Sequence, residues 1–377
     1  MDFKDIIGQD FLKKYFQKII ENDKIPHTQL FVGKEGSGTL SMALAFAQKL
    51  LCSDNLNCIN KVRKLIHPDL HFVFPTVTTE RIKKPDSDSF LNEWRSFVTT
   101  QSYGSLYDWM KHLEVANKQG IIRVADAENV IKKVAVKPYE ADYKVFIIWQ
   151  VEKMNNETAN KLLKILEEPP EDTKFILISE STEEILPTIL SRCQVHHFNP
   201  IPVAQIKQKL IEKFDLNQED ALKIAHQANG NWNKALQLAQ SENSDNDFQK
   251  LFIDWVRIAF SAKNNKQSIR KLINWAEQMS GLGRETQKQF LEFAMETFRQ
   301  ALLINYQNPD LSYYDFSVNN FDLNKFAPFV HSANIEDIYQ KITESIYHIE
   351  RNANPKIIFL DLSINLTKLI HKTEKFV

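Results

Sequence analysis

Cysteine is scarce in this chain, and no stretch of it is long and apolar. Its three cysteines, Cys52, Cys58 and Cys193, are too few and too scattered for a disulfide framework, which indicates a reducing compartment. No run approaches the roughly 20 apolar residues of a membrane span. The acidic N-terminus lacks the apolar core of a signal peptide. These absences predict a cytoplasmic protein that does not act at a membrane.

An excess of charge of one sign is also absent. The 377 residues carry a formal net charge of −1, so the whole molecule does not attract nucleic acid. Any contact with DNA must therefore be local or made by a partner. The composition, 43% hydrophobic and 25% charged residues, is typical of a globular protein. The length suffices for two or three domains.

A glycine-rich loop follows a short apolar run near the N-terminus and precedes a segment with helical spacing. Its glycines are Gly33, Gly36 and Gly38. In a P-loop, such glycines turn backbone N–H groups around a phosphate, and Lys and Ser/Thr follow them. Thr39 and Leu40 stand in those two places, so the lysine for the phosphates and the hydroxyl for Mg²⁺ are both missing. The pattern indicates a degenerate P-loop, and an ordinary glycine turn is the alternative.

Apolar strands alternate with helical segments up to about residue 200. The runs KVFIIW (144–149) and TKFILIS (173–179) are continuous and apolar, as in strands buried within a parallel sheet. The alternation predicts a parallel, doubly wound α/β sheet flanked by helices. Residues 76–103 begin with a polar run, which predicts a surface insertion carrying one helix near 90–98.

The rest of the chain is predicted to be helical. Residues 201–241 form a small helical region, and the polar stretch SENSDND at 241–247 indicates a linker. Beyond it, isoleucines recur at steps of three and four from Ile335 to Ile349, which is typical of a helix core or a subunit interface.

Five motifs stand within residues 1–200, namely IIGQ (6–9), GKEGSGT (33–39), HPDLHFVFP (67–75), ANKLLKILEEPP (159–170) and ILPTILSRCQ (185–194). In order and spacing, they resemble the AAA+ family, and within it the subunits of the bacterial DNA polymerase III clamp loader. The match to the delta-prime subunits is close. The resemblance implies a RecA-like AAA+ domain at 1–200, a helical lid at 201–241 and a helical collar at 248–377 through which the subunit oligomerises.

Catalytic positions of the family are changed in this chain. In ATP-hydrolysing relatives the third strand ends in Asp-Glu, for Mg²⁺ and for activation of water. Here Trp149 and Gln150 stand instead, and Glu152 would point the wrong way if the strand continued. Asn233 or Lys234 occupies the region of the family's second sensor arginine. Together with the changes after the glycines, these losses predict no ATPase activity and no bound ATP.

Arg192 is the exception, because its SRC motif (Ser191, Arg192, Cys193) is intact. The resemblance implies that this arginine reaches the γ-phosphate of ATP held by a neighbouring subunit. Such arginine fingers are worth about 10³ to 10⁵ in rate elsewhere. A surface arginine in a structural ion pair is the alternative.

Two further groups of residues fit no catalytic role. Clamp-loader relatives often bind zinc with four cysteines before the HPD motif. Only two of these cysteines are present here, and lysines stand at 61 and 64, where further thiolates would be expected. His67 could be a third ligand, but it belongs to the HPD motif. The sequence therefore predicts no zinc site. Glu167 and Glu168 lie at a helix end, where a solvated face or a partner contact is favoured over paired-carboxylate catalysis.

The function implied by the resemblance is that of a non-catalytic, delta-prime-like clamp-loader subunit. It would scaffold the ring and offer Arg192 to neighbouring gamma/tau-like subunits. Those subunits would bind ATP and, with a delta-like subunit, load the sliding clamp onto primed DNA. Two alternatives are an active, gamma/tau-like AAA+ ATPase, which would turn over ATP in isolation, and an AAA+-fold adaptor outside replication.

Overall fold

The computed structural model describes residues 2–372 except 54, 81, 116–117, 241–243, 264 and 307–320. These residues divide into two compact units, the first ending at Ala239 and the second beginning at Gln240. The predicted boundary between a sheet domain and a lid at residue 200 lies inside the first unit and stays a prediction. No helix in the described ranges is long and apolar enough to cross a membrane.

The first unit contains a five-stranded parallel sheet with the strand order β2-β3-β4-β1-β5. Leu30 at the middle of β1 pairs with Leu177 of β4 on one side and with Val195 of β5 on the other. The carboxyl ends of the central strands therefore meet at one edge, where open α/β sheets place their ligand sites. The strands are β1 (Thr28–Val32), β2 (Leu70–Val73), β3 (Lys144–Trp149), β4 (Thr173–Ser179) and β5 (Gln194–His197).

Helices cover the sheet, as parallel crossover connections require. Three short 3₁₀ segments, Phe3–Asp5, Asp88–Phe90 and Val151–Lys153, join them. The helices are α1 (Asp10–Glu21), α2 (Thr39–Leu51), α3 (Leu56–Arg63), α4 (Leu91–Thr100), α5 (Leu106–His112), α6 (Val124–Val134), α7 (Asn156–Glu167), α8 (Pro187–Leu190), α9 (Val203–Phe214), α10 (Gln218–Ala228) and α11 (Trp232–Gln240).

Every residue of β1, β3 and β4 is buried, so both faces of the sheet are covered. On one face Phe16 of α1 packs against Phe31 and Phe46, with ring centroids about 5 Å apart. On the other face Leu162 of α7 lies in a second apolar cluster with Phe146. The prediction of a parallel, doubly wound sheet flanked by helices is confirmed.

The prediction of a surface insertion at 76–103 is wrong for its helix, α4. Trp94 and Phe97 on α4 have no solvent-exposed surface. Trp94 stacks on Phe74, with ring centroids 4.2 Å apart, and meets Trp109 edge-on at 5.3 Å. Phe90, Trp94 and Phe97 recur at helical spacing and form an apolar face. The sequence prediction missed this face because a polar run precedes the helix. The segment therefore completes the core beside the sheet.

The second unit is helical throughout its described residues, as predicted. Its core includes stacked Trp255 and Trp275, with ring centroids 5.2 Å apart, and the Trp255 indole N–H donates to the Ser363 hydroxyl at 2.9 Å. The helices are α12 (Ser244–Ala262), α13 (Lys266–Ser280), α14 (Arg284–Asn305), α15 (Leu323–Phe326), α16 (Ser332–Glu350) and α17 (Pro355–Leu369).

The predicted linker at 241–247 is only partly covered by the structure. Residues 241–243 lie outside the described residues. Helix α12 begins at Ser244, so the last four positions of the stretch belong to a helix rather than to a linker. Polar residues are common at helix starts as well as in loops, so composition alone did not separate the two.

Candidate functional site

The glycine loop (residues 33–39) connects β1 to α2, as predicted. The Gly33 N–H donates to the Ser179 carbonyl at the end of β4, at 3.0 Å. Gly36 and Gly38 have φ angles of +69° and +93°, in the left-handed region where a side chain is disfavoured. The loop thus has the strand–turn–helix path of a phosphate-binding loop, with its turn next to the end of β4.

The four changed catalytic positions come together at this edge of the sheet. Thr39 and Leu40 start α2, and Leu40 is buried in the core. Trp149 at the end of β3 is 3% exposed and lies 5.1 Å from the Trp94 ring, so its indole belongs to the core. The Gln150 side-chain amide donates to Glu180 Oε1 at 3.0 Å. None of these four side chains supplies the cation or the carboxylates that ATP hydrolysis requires.

Glu152 does not lie on a continued strand, because the chain turns after β3 into a 3₁₀ segment. Its Oε1 atom accepts the backbone N–H of Glu180 at 3.2 Å, which ties the ends of β3 and β4 together. Its Oε2 atom is buried without a hydrogen-bond partner among the described residues. Burial and, secondly, the charge of Glu180 raise the pKa of Glu152 to about 7.

We expect Glu152→Gln to change the pH dependence of stability. The pKa of Glu152 is raised, so between about pH 4.5 and 7 the folded chain keeps a proton that the unfolded chain releases. Wild-type stability should therefore fall as the pH rises through this window, whereas glutamine does not titrate. Relative to wild type, the free energy of unfolding of the variant should rise by about 2 kcal/mol between about pH 5 and pH 8 in urea titrations.

A matched control for that experiment is Glu171→Gln, because Glu171 is an exposed glutamate in the same unit. Its stability difference from wild type should stay the same at both pH values. Equal pH profiles for the Glu152 variant and wild type would contradict the assignment of the proton to Glu152.

Helix α11 closes over the glycine loop. The Trp232 N–H donates to the Gly36 carbonyl at 3.1 Å. The buried Asn233 amide donates to Asp108 Oδ2 at 2.6 Å and to Glu35 Oε1 at 3.3 Å. Asn233, one of the two residues in the region of the family's second sensor arginine, therefore makes contacts within the protein. A Cβ atom on Gly36 would lie only 1.8 Å from the side-chain oxygen of Asn231, so α11 packs directly on the loop.

Two N-terminal contacts hold the same loop. The Gln9 amide of the IIGQ motif donates to the Ser37 carbonyl at 3.1 Å and to the Asn199 carbonyl at 2.6 Å. The Tyr103 hydroxyl accepts the Ile7 N–H at 2.9 Å, and its ring lies against Gly38. Burial raises the pKa of Tyr103 to about 12. No sequence signal pointed to Tyr103, because its partners are distant along the chain.

Arg192 lies in the turn between α8 and β5, and its side chain is 28% exposed. Its Nη2 atom is 2.7 Å from Glu167 Oε2, and its Nη1 atom donates to the Thr188 carbonyl at 2.8 Å. The ion pair named as the alternative is therefore present in this chain. In the same motif, burial raises the pKa of the Cys193 thiol to about 12, so this cysteine is no nucleophile at neutral pH.

A disulfide joins Cys52 to Cys58, a bond that the sequence did not predict. Cys52 follows α2 and Cys58 lies in α3, which brings their Cα atoms to 5.6 Å. Within the described residues, these two cysteines and His67 are the group with metal-binding spacing. The sulfurs are bonded to each other, however, and His67 Nε2 faces Glu140 Oε1 at 3.1 Å. The arrangement does not fit a four-ligand zinc site.

Comparisons with known proteins agree on one family. Residues 8–202 match the family described as DNA polymerase III, delta subunit. The DNA polymerase III subunit delta' of Bacillus subtilis is 29% identical over 62% of this chain and 60% of the relative. The DNA polymerase III subunit tau of the same organism is 30% identical over 63% of this chain and 37% of the relative. The chain thus matches less than two thirds of the length of either relative.

A solved structure also resembles this chain at low sequence identity. The gamma subunit-related protein of Thermotoga maritima covers 94% of this chain and 99% of its own, at 14% identity and a TM-score of 0.41. The family match is the stronger finding, because it spans more than half of the chain. The chain therefore belongs to the delta' subunit family of the bacterial DNA polymerase III clamp loader, a family with the AAA+ fold.

Proposed function

We propose that this chain is a non-catalytic delta'-like subunit of the clamp loader in the bacterial cytoplasm. It binds no ATP of its own. It scaffolds a ring with gamma/tau-like ATPase subunits and a delta-like subunit, and it offers Arg192 to ATP held by a neighbour. The neighbouring subunits supply the energy that loads the sliding clamp onto primed DNA. Membership of the delta' family supports the assignment.

The observation that carries the proposal is the state of the glycine loop. The loop keeps the path of a nucleotide site, but Trp149 is packed into the core and Gln150 is bonded to Glu180. Glu35 of the loop binds the Asn233 amide, and Thr39 and Leu40 stand where the lysine and the hydroxyl of a phosphate-binding loop would be. A site without this lysine and without carboxylates at the end of β3 lacks the groups that hold Mg²⁺ and activate water.

Arg192 suits a role in another subunit's site. Its side chain is partly exposed, and the turn that carries it is short and follows a helix, so the guanidinium has a defined position. A planar guanidinium can neutralise the charge that spreads over phosphate oxygens during transfer, and lysine lacks this fork geometry. In this role Arg192 completes a site whose nucleotide and metal belong to the neighbour.

The second unit supports the scaffolding role. Helices α13 and α17 pack together through Trp275 and Phe359, whose ring centroids are 5.8 Å apart. Both helices also expose isoleucines, namely Ile269, Ile273, Ile357 and Ile364. Where exposed apolar side chains form a contiguous patch, the patch marks a surface that a partner covers. We therefore place the contact with other subunits on the predicted collar.

Co-purification tests the proposal. The chain should form a stable complex with gamma/tau-like and delta-like subunits, and in isolation it should show no ATP turnover. Ile269→Glu with Ile364→Glu should weaken assembly about tenfold or more, because burying unpaired charge in an interface is costly. Asn274→Glu, at an exposed position of the same helix, is the control. ATP turnover by the isolated chain would favour an active ATPase, and failure to assemble would favour an adaptor.

A further inference from the structure

An ion pair links the two motifs that are most specific to the family. Glu167 is the last residue of α7, in LLKILEEPP, and Arg192 belongs to LSRCQ. Glu167 Oε2 lies 2.7 Å from Arg192 Nη2. Its neighbour Glu168 forms no ion pair among the described residues. The carboxylate of Glu167 therefore has a specific partner, which the adjacent carboxylate lacks. Neither the fold nor the proposed arginine finger requires this pairing.

The two ends of the guanidinium have separate partners. Nη1 donates to the Thr188 carbonyl at 2.8 Å and makes a longer contact of 3.4 Å with the Ser191 hydroxyl, both within its own turn. Nη2 faces the Glu167 carboxylate. The contacts within the turn therefore suffice to orient the Arg192 side chain. Glu167 occupies the Nη2 edge of the guanidinium, which an anion from another subunit would need.

Glu167 has no evident role in stabilising its own helix. A negative charge at the C-terminal end of a helix opposes the helix dipole. The side chain is 53% exposed, and exposed ion pairs are weak and easily exchanged. A phosphate group offers three oxygen acceptors and more negative charge than a carboxylate, so it competes well for a guanidinium.

We propose that Glu167 is a positioning residue that holds Arg192 until the terminal phosphate of a neighbour's nucleotide displaces it. This inference rests on the proposed trans role of Arg192. Glu167 is then a competitor for the finger, and it sets the ATP concentration at which the finger engages. Exchange requires only a rotation of the exposed carboxylate, because Nη1 stays bonded to Thr188.

Steady-state ATP hydrolysis by the reconstituted loader, with clamp and primed DNA, tests this inference. Glu167→Gln should lower the half-saturating ATP concentration about two- to five-fold, the range that an exposed ion pair allows, with kcat within twofold of wild type. Glu168→Gln should behave as wild type. The double variant with Arg192→Ala should match Arg192→Ala alone, because Glu167 acts only through the arginine.

A second measurement uses the isolated chain. Phenylglyoxal should modify Arg192 about two- to five-fold faster in Glu167→Gln than in Glu168→Gln, as read by peptide mass spectrometry. If Arg192→Ala slows hydrolysis but the two glutamine variants show the same ATP dependence, the exchange is refuted and the finger stands. A fall in kcat for Glu167→Gln also refutes it. If Arg192→Ala changes nothing, both proposals fail.

Discussion

With Arg192 acting in trans as proposed, Arg192→Ala should slow ATP hydrolysis by about 10³-fold or more at one neighbouring site. The charge that develops on the phosphate oxygens would lose its guanidinium, and no other residue of the turn can replace it. In single-turnover experiments on a reconstituted loader with clamp and primed DNA, the rapid phase should lose the amplitude of that one site. Clamp loading should slow accordingly.

Two variants sharpen this experiment. Arg192→Lys keeps the charge but not the planar fork, so it should restore only a small part of the lost rate. Arg63→Ala removes an exposed arginine of α3 and should leave hydrolysis unchanged. All variants must first be shown to assemble as wild type does. If the amplitude of the rapid phase is the same in Arg192→Ala as in wild type, the arginine serves only the ion pair with Glu167. The subunit would then act as a scaffold alone.

Trp94→Ala should lower the free energy of unfolding of the first unit by about 3–5 kcal/mol. The indole is fully buried between Phe74, Trp109 and Trp149, so its removal leaves a cavity in the core as well as lost transfer energy. Hydrogen exchange of the β3 amides, which lie in the middle of the first unit's core, measures this free energy without interference from the second unit.

Thr99→Ala on the same helix is the control, because Thr99 is exposed and its hydroxyl bonds only to carbonyls of α4. Its effect should stay within about 0.5 kcal/mol of wild type. If Trp94→Ala is as mild as this control, the helix is peripheral to the core, as the sequence interpretation of residues 76–103 assumed.

The sheet was predictable because its strands are continuous apolar runs separated by helical segments, a pattern that local sequence carries. The apolar face of α4 was not predictable, because its few buried residues, Trp94, Phe97 and Val98, stand among many polar ones and their partners lie on other elements. The same limit applies to the disulfide, which depends on how α2 and α3 meet.

For the candidate site, the changed residues were readable from the sequence, but their partners were not. The direction of the Glu152 side chain could be predicted only on the condition that the strand continued, because nothing in the sequence marks the turn that begins at Gln150. Glu167 and Arg192 stand 25 positions apart, and their pairing follows from the meeting of α7 with the turn after α8. Contacts of this kind arise from tertiary packing, which single-sequence patterns do not contain.

The amide contacts of Asn233 have a consequence for how information about nucleotide reaches this subunit. In a protein whose helical lid closes on bound ATP, the lid position reports whether ATP is present. Here the Asn233 amide of α11 is bonded to Glu35 of the glycine loop and to Asp108 of α5, so protein groups hold α11 in place. A ligand without differential affinity for two states cannot shift their equilibrium. In the proposed role, in which this chain binds no ATP, the position of α11 is independent of ATP concentration, and Arg192 is the group that meets the neighbour's nucleotide.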